Sequence, residues 1–176
     1  MKRKNPTRDK VKEAEYFLSK MRETFEDDDI FSYNLSAFLS AARSITWYMK
    51  KQYRHREGFN EWYCQKQIEM KTDRELKYLN EARVENVHKT PVPTGSTRQG
   101  AIRIDAIVAK EGVSEAKQPK KGEYKSPEQR NQRTVRRFFP KFKDIDVIEF
   151  CEKQLKKLAD IVQECESNFG NYKGMI

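Results

Sequence analysis

The chain has 176 residues, of which 36% are hydrophobic and 36% charged, with a formal net charge of +9. That length supports one domain with a real core, and 11% aromatic residues exclude a fully disordered chain. No run approaches the roughly 20 apolar residues of a membrane span, and the charged opening MKRKNPTRDK has no apolar stretch behind it to read as a secretory signal.

Residues 9–26 read as a first helix, with Val11, Ala14, Phe17, Leu18, Met21 and Phe25 at helical spacing. The run Asp27-Asp28-Asp29 ends it and suits the positive N-terminal end of the next helix. Residues 30–54 are the longest periodic stretch, carrying Phe31, Leu35, Phe38, Leu39, Ala42, Ile45, Met49 and Tyr53 on one face. Ser36, Ala37, Ser40, Ala41 and Ser44 are small and admit a close neighbour, within the bundle or across a dimer. Gly58 breaks this pattern, and residues 59–71 form a shorter helix whose aromatic residues, Phe59, Trp62 and Tyr63, read as core with Cys64 packed among them.

Residues 72–89 read as a fourth helix, opened by a capping box of Thr72 and Glu75. Leu76, Leu79, Ala82 and Val87 gather on one side, and Asn80, Arg83 and Asn86 fall in the same sector. A guanidinium near the middle of an apolar stripe needs hydrogen-bond partners, a second subunit or an anion, because an unpartnered buried ion costs several kcal/mol.

The character changes over residues 89–143, where 14 Lys and Arg stand against 5 Asp and Glu and five of the six prolines are found. The whole excess charge sits there. Residues 101–109 and 133–139 read as strands that pair as an antiparallel ribbon, joined by a mobile loop at 110–132. Residues 144–169 return to helix, with Asp144 as N-cap, Gly170 past the end, and a seam of Ile148, Cys151, Leu155, Leu158, Val162, Cys165 and Phe169. The tail 171–176 is expected to fray. Three cysteines without a C-x-x-C pair and only two histidines argue against structural zinc, so no metal or cofactor is expected. Free thiols point to a reducing, cytoplasmic location.

Arg83-Val84-Glu85-Asn86-Val87-His88 spells R-x4-H near the end of a helix in an otherwise helical chain. Together with SAFLSAARSITWYMKKQY, FNEWY and the final FCEKQL helix, it resembles the HEPN superfamily, over roughly residues 10–90 and 144–169. The expected fold is therefore mainly α: a five-helix up-and-down HEPN-like bundle with a small antiparallel β-ribbon inserted before the last helix, all one domain. The resemblance implies a two-fold homodimer and a metal-independent endoribonuclease of a defence or toxin type, with Arg83 and His88 as the catalytic pair. Active members commonly carry Asn after the arginine, where this chain has Val84. Asn80 and Asn86 offer polar support from neighbouring turns.

The residue chemistry is compatible with that role. Cleavage by an adjacent 2′-hydroxyl needs a base of near-neutral pKa and a fixed cation for charge gathering on phosphorus, which suits histidine and arginine. A second reading gives Arg83 a structural salt bridge, for instance to Glu81, in a non-catalytic protein-interaction module. Lys120, Lys121, Lys125, Arg130, Arg133, Arg136, Arg137, Lys141 and Lys143 read as a phosphate clamp for RNA or a nucleotide. Phe138, Phe139 and Phe142 lie among them, as base-stacking groups or as a cap on the bundle. An acidic protein partner fits the same charge; a membrane does not.

Overall fold

In the computed structural model, residues 5–88, 94–98 and 135–170 are described. They form α1 (Pro6–Glu23), α2 (Asp28–Tyr53), α3 (Phe59–Thr72), α4 (Arg74–His88), β1 (Gly95–Arg98), β2 (Val135–Phe138) and α5 (Val147–Phe169). Five helices with a short antiparallel ribbon ahead of the last one agree with the expected fold class.

Local chemistry sets the helix starts. The Asn5 side chain accepts from the Arg8 amide and Pro6 opens α1, so this helix begins three residues before the start expected at residue 9. The Asp27 carboxylate accepts from the Ile30 amide to start α2. Gly58 sits at φ 72°, a left-handed conformation that glycine adopts without strain, and turns the chain into α3.

The boundary between α3 and α4 corrects the expected capping box. The Thr72 hydroxyl donates back to Glu69 O and finishes α3. Asp73 Oδ1 instead accepts the amides of Glu75 and Leu76, at 2.9 Å each. Glu75 turns away from its own helix start towards α5, where Lys153, Gln154 and Lys157 donate to it. Likewise Asp146, rather than Asp144, caps α5 by accepting from the Ile148 amide.

The core lies between α1, α2, α4 and α5. The α2 face is buried from Phe31 to Tyr53, and the α5 seam from Ile148 to Cys165. Burial pushes the Cys151 thiol far up and the Cys165 thiol to about 12, so both are packed and unreactive. Cys64 is exposed, contrary to expectation, because α3 turns only Phe59 and Tyr63 fully inward.

In the ribbon β1 pairs antiparallel with β2, Gly95 opposite Phe138 and Arg98 opposite Val135. A Cβ at Gly95 would lie 2.4 Å from the Phe138 ring, which explains glycine there. The strand expected at 101–109, the loop at 110–132 and the tail at 171–176 lie outside the described residues. Phe139 and Phe142 pack edge-on against Tyr78, and both rings also meet Phe150. These two aromatic residues cap the bundle. No helix among the described residues is long and apolar enough to cross a membrane.

Candidate functional site

The first turn of α4 is fixed to α5 by an ionic cluster. Lys157 Nζ donates to Asp73 at 2.6 Å and to Glu75 at 3.0 Å, and Lys153 Nζ donates to Glu75 at 2.8 Å. The hydrogen bond from Lys153, reinforced by Gln154 and Lys157 against the cost of burial, lowers the Glu75 pKa to about 2. For Asp73, burial raises the pKa, but the Lys157 bond and two backbone amides outweigh it and hold the carboxyl low. With its start so anchored, α4 lays Leu76 and Leu79 towards the bundle.

Helices α2, α3 and α4, with Leu158 of α5, line a cleft of about 170 Å³. Its apolar walls include Leu39, Ala42, Met70, Leu76, Leu79 and Leu158. Near its start α3 is fastened to α2. The Tyr63 hydroxyl donates to Thr46 O at 3.3 Å, and the half-buried Met70 and exposed Lys71 follow at the far end of the helix. Burial raises the Tyr63 pKa, so the phenol stays protonated as that donor.

Arg43, Lys71 and Lys77 stand on the lip, along with Gln67 and Asn80, and no carboxylate among the described residues lines the cleft. Arg43 Nη1 donates to Thr46 Oγ1 at 2.8 Å, which holds the guanidinium in place without neutralising it. Among the described residues, none of the three cations makes an ion pair. Elsewhere on the surface cations are commonly paired: Arg8 with Glu166, Lys20 with Glu23, Lys66 with Glu69 and Glu164, Lys141 with Glu81. An apolar pocket edged by uncompensated positive charge takes a ligand with an apolar body and an anionic group.

The residues singled out from sequence are dispersed. Asn80 is exposed on the cleft lip. Arg83, one turn further along α4, is half-buried, and its Nε is shut off from solvent with no hydrogen-bond partner among the described residues. Glu81, the acid expected to pair with Arg83 in the structural reading, meets Lys141 instead. Asn86 and His88 lie in the helical backbone of α4, their side chains outside the described residues. Because α4 stays helical through His88, the five-residue step from Arg83 sets the two backbone positions about 140° apart around the helix axis.

The expected clamp separates into three groups. Lys120, Lys121, Lys125, Arg130 and Arg133 lie outside the described residues. Arg136, Lys141 and Lys143 are exposed; Arg136 donates to Asp144 O, and Lys141 Nζ lies 5.3 Å from the Tyr78 ring centre. Arg137 is a correction, being only 4% exposed. It donates to Phe25 O at 2.9 Å and to Asp28 at 2.5 Å, with its guanidinium 4.5 Å from the Phe31 ring centre. It pins the ribbon to the turn between α1 and α2 and has no face left for phosphate. Sequence reasoning missed Arg43, Lys71 and Lys77, which come from three helices and share no local pattern.

A family model, that of bacteriophage lambda protein ea47, matches residues 6–99, which span α1 to β1. The chain belongs to the Ea47 family. This match overturns the HEPN resemblance: R-x4-H fixes only two residues, recurs by chance in helices, and is accompanied by nothing specific to HEPN. The Ea47 match takes in the Arg43, Lys71 and Lys77 lip as well as the R-x4-H residues, and stops short of α5. No curated protein and no solved structure matches the chain.

Proposed function

We propose that this Ea47-family protein binds a nucleotide, either free or as part of single-stranded RNA, with its base in the cleft and its phosphate on the lip. The supporting observation is the coincidence of an apolar floor with three cations that no carboxylate neutralises among the described residues. A base has a flat apolar face that the leucines and Met70 accommodate, and its phosphate carries the charge that Arg43, Lys71 and Lys77 lack. Asn80 on the same lip offers a hydrogen bond to a base edge or a ribose hydroxyl. The exposed Arg136 and Lys143 add positive charge elsewhere on the surface.

Equilibrium binding of nucleoside phosphates and of short single-stranded RNA, repeated over a salt series, tests this reading. The combined Arg43→Ala, Lys71→Ala and Lys77→Ala variant is expected to weaken binding at least tenfold. Loss of three phosphate contacts should also lower the salt slope for RNA by about 2. Salt-independent binding, or binding that the triple variant leaves unchanged, overturns the proposal. Preference for an acidic peptide over both nucleic-acid ligands also overturns it.

A catalytic reading attaches to Arg83, whose enclosed and unpartnered Nε favours a bound anion. There Arg83 would hold phosphate and His88 would exchange the proton, giving RNA cleavage that persists in EDTA and is lost in both Arg83→Ala and His88→Ala. Cleavage that survives both substitutions removes these residues from the chemistry.

A further inference from the structure

The outward side of α2 carries a feature that neither the core nor the cleft uses. At 100° per residue, Asp29, Tyr33, Ser40, Trp47 and Lys51 fall within about 40° of one line along the helix. That line is opposite the buried face centred on Phe31 and Met49. Tyr33 is 70% exposed and Trp47 is 54% exposed, unusual for large aromatic side chains.

The line reads the same in size and oppositely in charge from either direction. Tyr33 and Trp47 stand seven residues before and after Ser40, and Asp29 and Lys51 stand eleven residues before and after it. Ser36 and Ser44 flank the centre at four. The Ser44 hydroxyl donates back to Ser40 O at 2.8 Å, so the middle of the line presents a smooth, narrow surface.

We propose that α2 pairs with the α2 of a second copy, antiparallel, across a two-fold axis beside Ser40. In that register each Tyr33 meets Trp47 of the other copy, and each Asp29 meets Lys51 of the other copy. Every contact occurs twice, as an isologous interface requires. A parallel pair would set Asp29 on Asp29 and Lys51 on Lys51, so charge selects the antiparallel arrangement. The helix dipoles favour it as well, with the acidic N-terminal end of one α2 beside the basic C-terminal end of the other. Steps of seven residues suit a shallow helix crossing, and the small central side chains let the backbones approach. Lys51 Nζ already lies 5.2 Å from the Trp47 ring centre of its own chain, so the cation is placed at the edge of the aromatic contact.

Sedimentation of the full chain over a concentration series tests this. The expected species has twice the 20.9 kDa chain mass. Ser40→Arg, which adds bulk and like charge at the axis, is expected to raise the dissociation constant at least tenfold, whereas Ser40→Ala leaves it within about twofold. Asp29→Lys weakens the dimer, and combining it with Lys51→Asp restores it. With Cys64→Ser as background, Ser40→Cys should form a chain-to-chain disulfide under mild oxidant. A monomer at all concentrations, or a dimer indifferent to Ser40→Arg and uncrosslinked in Ser40→Cys, overturns the proposal. Circular dichroism spectra that match the wild type separate a broken interface from a broken fold.

Discussion

Arg137 shows how a charge in a basic segment becomes a structural part. Its guanidinium satisfies the Phe25 carbonyl at the end of α1, meets Asp28 at the start of α2, and covers Phe31. Arg137→Ala removes the guanidinium's hydrogen bond to that carbonyl and uncovers the Phe31 ring. It is expected to cost about 2 kcal/mol in chemical denaturation, with the exposed Asp28 contributing little of that. RNA affinity of the folded variant should stay within about twofold of wild type, since this arginine faces no ligand. Glu75 gives a second residue-scale test. Its folded pKa of about 2 is below the ordinary carboxylate value, so its stabilisation is full above about 4.5 and drains away as pH falls towards about 2. Glu75→Gln should flatten the fall in melting temperature across that window while lowering stability at neutral pH.

Helix α4 carries the clearest consequences at the scale of an element. Asp73 supplies its N-cap and also accepts from Lys157, so Asp73→Ala should cost roughly 1–2 kcal/mol in denaturant titration. Because α4 forms one wall of the cleft, that change should also weaken ligand binding, whereas Thr72→Ala should do neither. The five helices were legible in the sequence because apolar residues recur at helical spacing over long stretches, and their ends were less so. Thr72, Glu75 and Asp144 all have the right chemistry for caps, but Glu75 is drawn to Lys153, and Asp73 and Asp146 stand one and two residues nearer the first free amides than Thr72 and Asp144. One half of the ribbon was readable from the β-branched and aromatic residues in 133–139. Its partner, Gly95–Arg98, has no strand-like composition and pairs because Gly95 gives room to the Phe138 ring. The role of Arg137 and the exposure of Cys64 depend on which neighbour each side chain meets, which periodicity does not encode.

Over the whole molecule, charge is distributed unevenly in sequence and again in space. The nine excess positive charges lie in residues 89–143, yet three uncompensated cations converge on a cleft built outside that segment. The match to the Ea47 family runs through those cleft helices and into β1. The candidate site was not legible beforehand, since Arg43, Lys71 and Lys77 are joined only by the packing of α2, α3 and α4. The R-x4-H pair was conspicuous in sequence but diverges around its helix. In the proposed complex the ligand's base lies among Leu39, Met70, Leu76 and Leu79, and its phosphate above them. The most direct measurement is photo-cross-linking of a thiouracil-bearing nucleotide or short RNA, followed by peptide mapping of the attachment point. Attachment within residues 39–46 or 63–80 is the predicted result. Attachment confined to residues 89–143, with the cleft helices unlabelled, would contradict it.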